Sequence, residues 1–203
     1  MHNLMGHTLL MSALAHTALP ETSDVQQLRY PVVRTELVPH ICAIARKILG
    51  LLEDDPVAQR GLILRHSNLD ETALQFAVRN QFHACELTAI LLEPFQYHSA
   101  ARVKLILTHA HGHGTVMHDT VSHPTHSAEL VAILLQALEH KGATRREFLA
   151  IPNYSNRTAL QLAKKLGNRA VVRMLKNAQA DEGSDSSEEA ASEILDSRAC
   201  VIS

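Results

Sequence analysis

Thr72-Ala73-Leu74-Gln75-Phe76-Ala77 decides the reading of this chain, because it returns twice at a spacing of 43 residues. The returns are Thr115-Val116-Met117-His118-Asp119-Thr120 and Thr158-Ala159-Leu160-Gln161-Leu162-Ala163, and a fourth version, Thr8-Leu9-Leu10-Met11-Ser12-Ala13, stands near the N-terminus. Threonine is a good helix N-cap, its hydroxyl accepting from free backbone N–H groups of the first turn. The residues two and five positions on are apolar or small and fall on one helix face. Alanine or threonine at the fifth position is small enough to let a neighbouring helix come close. Each segment therefore predicts a short capped helix.

Two residues before each threonine stand Gly6, Asp70, His113 and Asn156. These residue types tolerate a left-handed backbone best, so a tight turn should feed each helix. Further along, Glu86-Leu-Thr-Ala-Ile-Leu-Leu92 recurs as Glu129-Leu-Val-Ala-Ile-Leu-Leu135, again 43 residues apart. Glu86–Glu93, Glu129–Leu138 and Ala170–Ala178 thus predict a second helix in each unit. The first unit has a long insertion around Pro20–Pro31 before a helix near Val38–Leu52. Short amphipathic pieces, Ser99–Leu107 and Thr144–Ala150, precede the turns.

Composition agrees with a helical stack. Of 203 residues 46% are hydrophobic and only 3% aromatic, so the core must be Leu, Ile, Val and Ala. Three cysteines make no disulfide framework, and Cys42 and Cys85 read as small buried hydrophobes. No apolar run reaches the length of a membrane span. Thr8–Ala15 lacks the Lys/Arg-rich start of a signal peptide and is read as a helix. The net charge of −2 hides a mildly basic body, residues 1–180, carrying an acidic tail. The basic residues look dispersed, without the stripe that a nucleic acid needs, so no nucleic-acid partner is expected.

In these residues the chain resembles the ankyrin repeat family, whose pattern is Gly-x-Thr-Pro-Leu-His-x-Ala-Ala, then Gly-His, then Val-Val-x-x-Leu-Leu. Asn156-Arg-Thr158-Ala-Leu160-Gln-Leu-Ala163, Gly167-Asn168, Val171-Val172 and Leu175 match it without a gap. The units at Thr72 and Thr115 match with two residues inserted between their helices. The family proline is Leu9, Ala73, Val116 and Ala159, and only His118 keeps the family histidine. At 43 residues the units exceed the usual ~33, which is similar to extended ankyrin proteins of intracellular bacteria. The resemblance implies an all-α ankyrin-repeat solenoid of about four helix-turn-helix units over residues 1–180. It also implies a non-enzymatic, monomeric module that binds another protein.

Ankyrin proteins bind through hairpin tips and the exposed side of the first helices. The tips here would be Ser67–Glu71, His109–Gly114 and Asn153–Arg157. The resemblance thus offers Asp70, Glu71, His111, His113, Asn153, Tyr154 and Asn156 at the tips. On the first helices it offers Gln75, Arg79, His118, His123, Gln161 and Lys165 as exposed partner-binding positions. Fourteen histidines, densest at His109-Ala-His111-Gly-His113, raise a reading from another class, a metal-dependent hydrolase. They sit on a turn flanked by glycines rather than in a His-Glu-x-x-His helix. No catalytic residue, metal set or cofactor is therefore expected.

Residues 181–203 carry Asp181, Glu182, Asp185, Glu188, Glu189, Glu193 and Asp196 against Arg198, a composition expected to be disordered. They close with Cys200-Val201-Ile202-Ser203, a Cys-aliphatic-aliphatic-X prenylation motif whose last residue favours farnesyl. The expected partners are then a prenyltransferase and a cytosolic membrane face. One lipid without a polybasic run or second acylated cysteine gives reversible association. The Glu-rich segment also resembles the signals of type IV secreted bacterial effectors. Together these features predict an effector working in a host cell's cytosol, with a soluble, non-lipidated scaffold or inhibitor as the alternative.

Overall fold

The computed structural model describes residues 8–15, 40–111, 114–138 and 142–180. They are mostly helical. In chain order the helices are α1 (Leu9–Ala15), α2 (Ile41–Gly50), α3 (Pro56–Ile63), α4 (Ala73–Val78), α5 (Ala84–Leu92) and α6 (Ser99–Leu107). There follow α7 (Val116–Ser122), α8 (Ser127–Ala137), α9 (Gly142–Ala150), α10 (Ala159–Lys165) and α11 (Arg169–Ala180). A two-residue antiparallel ladder, β1 (His109–Ala110) with β2 (Gly114–Thr115), lies between α6 and α7. Among the described residues no helix is long and apolar enough to cross a membrane.

The threonine segments form the first helix of each pair. Thr72, Thr115 and Thr158 are the N-caps of α4, α7 and α10, each in extended conformation and each closing a capping box with the third helical residue. At α1 only half of the box is present, Thr8 Oγ1 accepting from the Met11 N–H at 3.2 Å. A full box satisfies two of the backbone donors that a helix start leaves open. The turns are as tight as the residue types require. Asp70 and Asn156 have φ of 57° and 53°, and the Ser67 and Asn153 N–H groups donate across them to the carbonyls of Glu71 and Arg157.

The helices pack in two layers. In one layer α1 lies on α4, α4 on α7, and α7 on α10; in the other α2 lies on α5, α5 on α8, and α8 on α11. Each first helix also packs on its own second helix, α4 on α5 for example. The core runs between the layers through Leu10, Leu14, Leu74, Leu87, Leu91, Met117, Leu130, Leu134, Val171 and Leu175. Ala77, Thr120 and Ala163 occupy the small fifth position, and all three are buried where neighbouring helices meet. Thr120 keeps its hydroxyl satisfied there by donating to the Val116 carbonyl at 2.8 Å. The extra helices α3, α6 and α9 precede the turns and tuck Ile63, Ile106 and Leu149 inward, again 43 residues apart.

Candidate interaction surface

The row of turns offers the most exposed chemistry. The His111 N–H donates to the Leu69 carbonyl at 2.9 Å, which joins the second turn to the first. His109 Nε2 reaches the Pro152 carbonyl at 3.4 Å, which joins it to the third. Tyr154 packs against both imidazoles, its ring centroid 5.3 Å from His109 and 5.8 Å from His111. Tyr154 is 56% exposed and Leu69 45%. Asp70, His109, His111 and Asn156 are exposed beside them. The result is a continuous ridge of an aromatic ring, an aliphatic side chain and imidazoles, the mix in which interface anchors are found.

Several residues expected to be exposed are not. Gln75 is 1% exposed and His118 2%. Their shared role explains it. Gln75 Oε1 accepts from the Thr72 N–H at 2.9 Å, while its Nε2 donates to the Gly114 carbonyl of the next turn at 3.4 Å. His118 Nδ1 accepts from the Thr115 N–H at 3.2 Å, so Nε2 carries the proton and donates to the Arg157 carbonyl at 3.0 Å. Gly114 and Arg157 are themselves 43 residues apart. Each side chain caps its own helix and ties it to the following turn.

His123 is buried too. Its Nδ1 accepts from the N–H groups of Thr125 and His126, and its Nε2 donates to the Asn80 carbonyl at 2.9 Å. Asn80 holds the equivalent loop one unit earlier, its Oδ1 accepting from Phe82 and His83 N–H. Burial lowers the pKa of both His118 and His123 below the ordinary 6.5, against the opposing effect of their backbone hydrogen bonds. Both are neutral structural rungs.

Glu71 is buried because Arg79 covers it, the guanidinium bonding its carboxylate at 2.6 Å. Arg79 also donates from Nε to the Gln75 carbonyl at 2.9 Å, lies 3.8 Å from an Asp119 carboxylate oxygen and stacks 5.2 Å above the Phe76 ring. A half-buried cation is thus fixed between two acidic residues of adjacent units. Asn153 is half-buried and holds its own turn, its Oδ1 accepting from Ser155 and Arg157 N–H. Gln161 and Lys165 are exposed on α10. His113 and Cys200 lie outside the described residues.

Two groupings escaped sequence reading. Lys164, Arg169, Arg173 and Lys176 line one shallow groove on α10 and α11, so basic residues that looked dispersed are gathered at that end. Cys42 and Cys85 are more than apolar filling: each sulfur lies beside a histidine and a glutamate of the following second helix. Burial, with Glu86 and Glu129 accepting from the thiols, pushes both pKa values up to about 12, which makes poor nucleophiles of them. The 43-residue spacing of Cys42 and Cys85, of His83 and His126, and of Glu86 and Glu129 was the available signal. The hairpin histidines His109 and His111 meet no third metal-ligating side chain among the described residues.

No protein-family model, curated protein or solved structure matches this chain.

Proposed function

We propose that this chain is an ankyrin-type protein-binding module, and that farnesyl transfer to Cys200 takes it to a cytosolic membrane face. The observation that carries the binding role is the exposed ridge of Leu69, His111 and Tyr154, on turns joined by the His111 N–H to the Leu69 carbonyl and by the His109 imidazole to the Pro152 carbonyl. Such a ridge is preorganised, so a partner meets anchors whose ordering cost is already met. The Cys200–Ser203 motif and the acidic residues before it support the lipid and the role of an effector acting in a host cytosol.

The test is binding to a partner purified from eukaryotic cytosol. Tyr154→Ala with Leu69→Asp should weaken the reconstituted complex at least about tenfold, as loss of an interface anchor does, while the helical spectrum and melting curve stay unchanged. Binding that survives this double substitution overturns the ridge. Isoprenoid mass on the C-terminal peptide after expression in eukaryotic cells, absent in Cys200→Ser, tests the lipid. An unmodified peptide leaves the soluble scaffold.

A further inference from the structure

Cys42 on α2 meets His83 and Glu86, the N-cap and first turn of α5, with one ligand atom from each lying within 4.8 Å of the others. Cys85 on α5 meets His126 and Glu129, the N-cap and first turn of α8, in the same way. The second set is the first displaced by 43 residues in all three members. In both it is the imidazole Nδ1 that faces the carboxylate, at 3.9 Å and 3.4 Å. Sulfur comes from one second-layer helix, nitrogen and oxygen from the next.

We propose that each Cys–His–Glu set is a zinc site that staples one second-layer helix to its neighbour. A thiolate, an imidazole and a carboxylate are together donors that zinc takes, and the thiolate and imidazole are poor ligands for calcium or magnesium. Three protein ligands leave a fourth position to water. Tetrahedral bonds of about 2.0–2.3 Å put ligand atoms about 3.5 Å apart; the imidazole–carboxylate pairs at 3.9 Å and 3.4 Å are already close to that, and no pair in either set exceeds 4.8 Å. His83 and Glu86, and likewise His126 and Glu129, have side chains far enough out of the core to turn. Binding exchanges the thiol proton for the metal and releases one proton to solvent per site. The third junction, α8 with α11, has Ala128 where the cysteine would stand, so the described residues form two such sites.

The two sites differ in one respect. Arg46 pairs with Glu86 at 2.9 Å and competes for its carboxylate, whereas the residue 43 positions on from Arg46 is Ala89. The Cys85–His126–Glu129 site should therefore hold metal more tightly.

The experiment is titration of the metal-free full chain with Co2+ and then Zn2+. A sulfur-to-cobalt charge-transfer band should saturate at two equivalents and vanish on adding Zn2+. Cys42→Ala and Cys85→Ala should each remove one equivalent, and the pair both; Ala128 shows that alanine is accommodated at this place in the fold. Glu129→Gln, an exposed change that cannot empty the core, should weaken the second site by more than about tenfold. Arg46→Ala should tighten only the first, about two- to fivefold. Cobalt bound without a sulfur band, as the hairpin histidines alone would give, overturns the proposal. So does a band that survives the double cysteine variant, or Arg46→Ala leaving the first site unchanged.

Discussion

Gln75, His118 and Gln161 stand at the same place in α4, α7 and α10, and each closes a capping box with the threonine that starts its helix. Their surroundings divide them. Gln75 and His118 are buried and bond onward to the next turn, at Gly114 and Arg157. Gln161 is exposed, as are Lys164 and Lys165 on the same helix. Helices α4 and α7 are covered on both sides by neighbours, whereas α10 packs on α7 and has no first helix after it among the described residues. Capping is therefore a local property that the three share, and burial is made by the neighbour. A substitution in the interior should cost both terms, and its counterpart at α10 only the local one.

Glycine gives the largest contrast. Gly114 has φ of 95°, and a Cβ there would sit 2.9 Å from Asn153 Cβ and 3.0 Å from His118 Nδ1. Gly167, after α10, has φ of 71° with nothing within 4 Å of the same built atom. Gly114→Ala should therefore destabilise by about 2–4 kcal/mol, combining left-handed strain with overpacking. Gly167→Ala should lose only the strain, about 1–2 kcal/mol. Urea denaturation of the two variants measures the difference. Equal losses would break the division between interior and end.

His118→Ala comes next. It strands the buried Thr115 N–H and removes the donor to the Arg157 carbonyl, a loss of about 2–3 kcal/mol. His118→Gln should keep most of the stability, because glutamine does this work at Gln75. It should also change the response to acid. Burial lowers the pKa of His118 from 6.5, so between that folded value and 6.5 the unfolded chain binds the proton that the folded chain refuses. Stability is then complete above about pH 6.5, declines as pH falls towards the lowered value and levels off below it. His123 acts in the same direction, so His118→Gln should make the decline shallower without abolishing it. An unchanged slope in denaturation at several pH values would remove His118 from the account.

How much of this was legible follows from the same division. Threonine caps, left-handed Asp70 and Asn156, the paired helices and the extra helices α6 and α9 all depend on residues near in sequence, and each was readable. The burial of Gln75, His118 and His123 was not, because what covers them comes from other parts of the fold: Gly114 for Gln75, Arg157 for His118, Asn80 for His123. Polar side chains on a short capped helix look solvent-facing until the next turn is placed over them. The cysteine clusters failed for the same reason. Cys42 and Cys85 sit in apolar helices, while the histidine and glutamate beside each arrive from the following second helix. What could have bridged the gap was the 43-residue spacing applied to polar residues as strictly as to the apolar ones.

The smallest effect is the most discriminating. Gln161 Oε1 accepts from the Thr158 N–H at 2.9 Å, the same bond that Gln75 makes to Thr72. In Gln161→Ala the freed N–H turns to water, so the loss should be about 0.5 kcal/mol or less. In Gln75→Ala the Thr72 N–H stays buried, and the Gly114 carbonyl loses the amide that reaches it, so about 1–3 kcal/mol is expected. The two substitutions remove the same atoms from the same helical position, which cancels intrinsic propensity from the comparison. Their difference therefore measures what a neighbouring unit adds to a shared local cap. A difference below about 0.5 kcal/mol would mean that water reaches the Thr72 N–H in the interior as well.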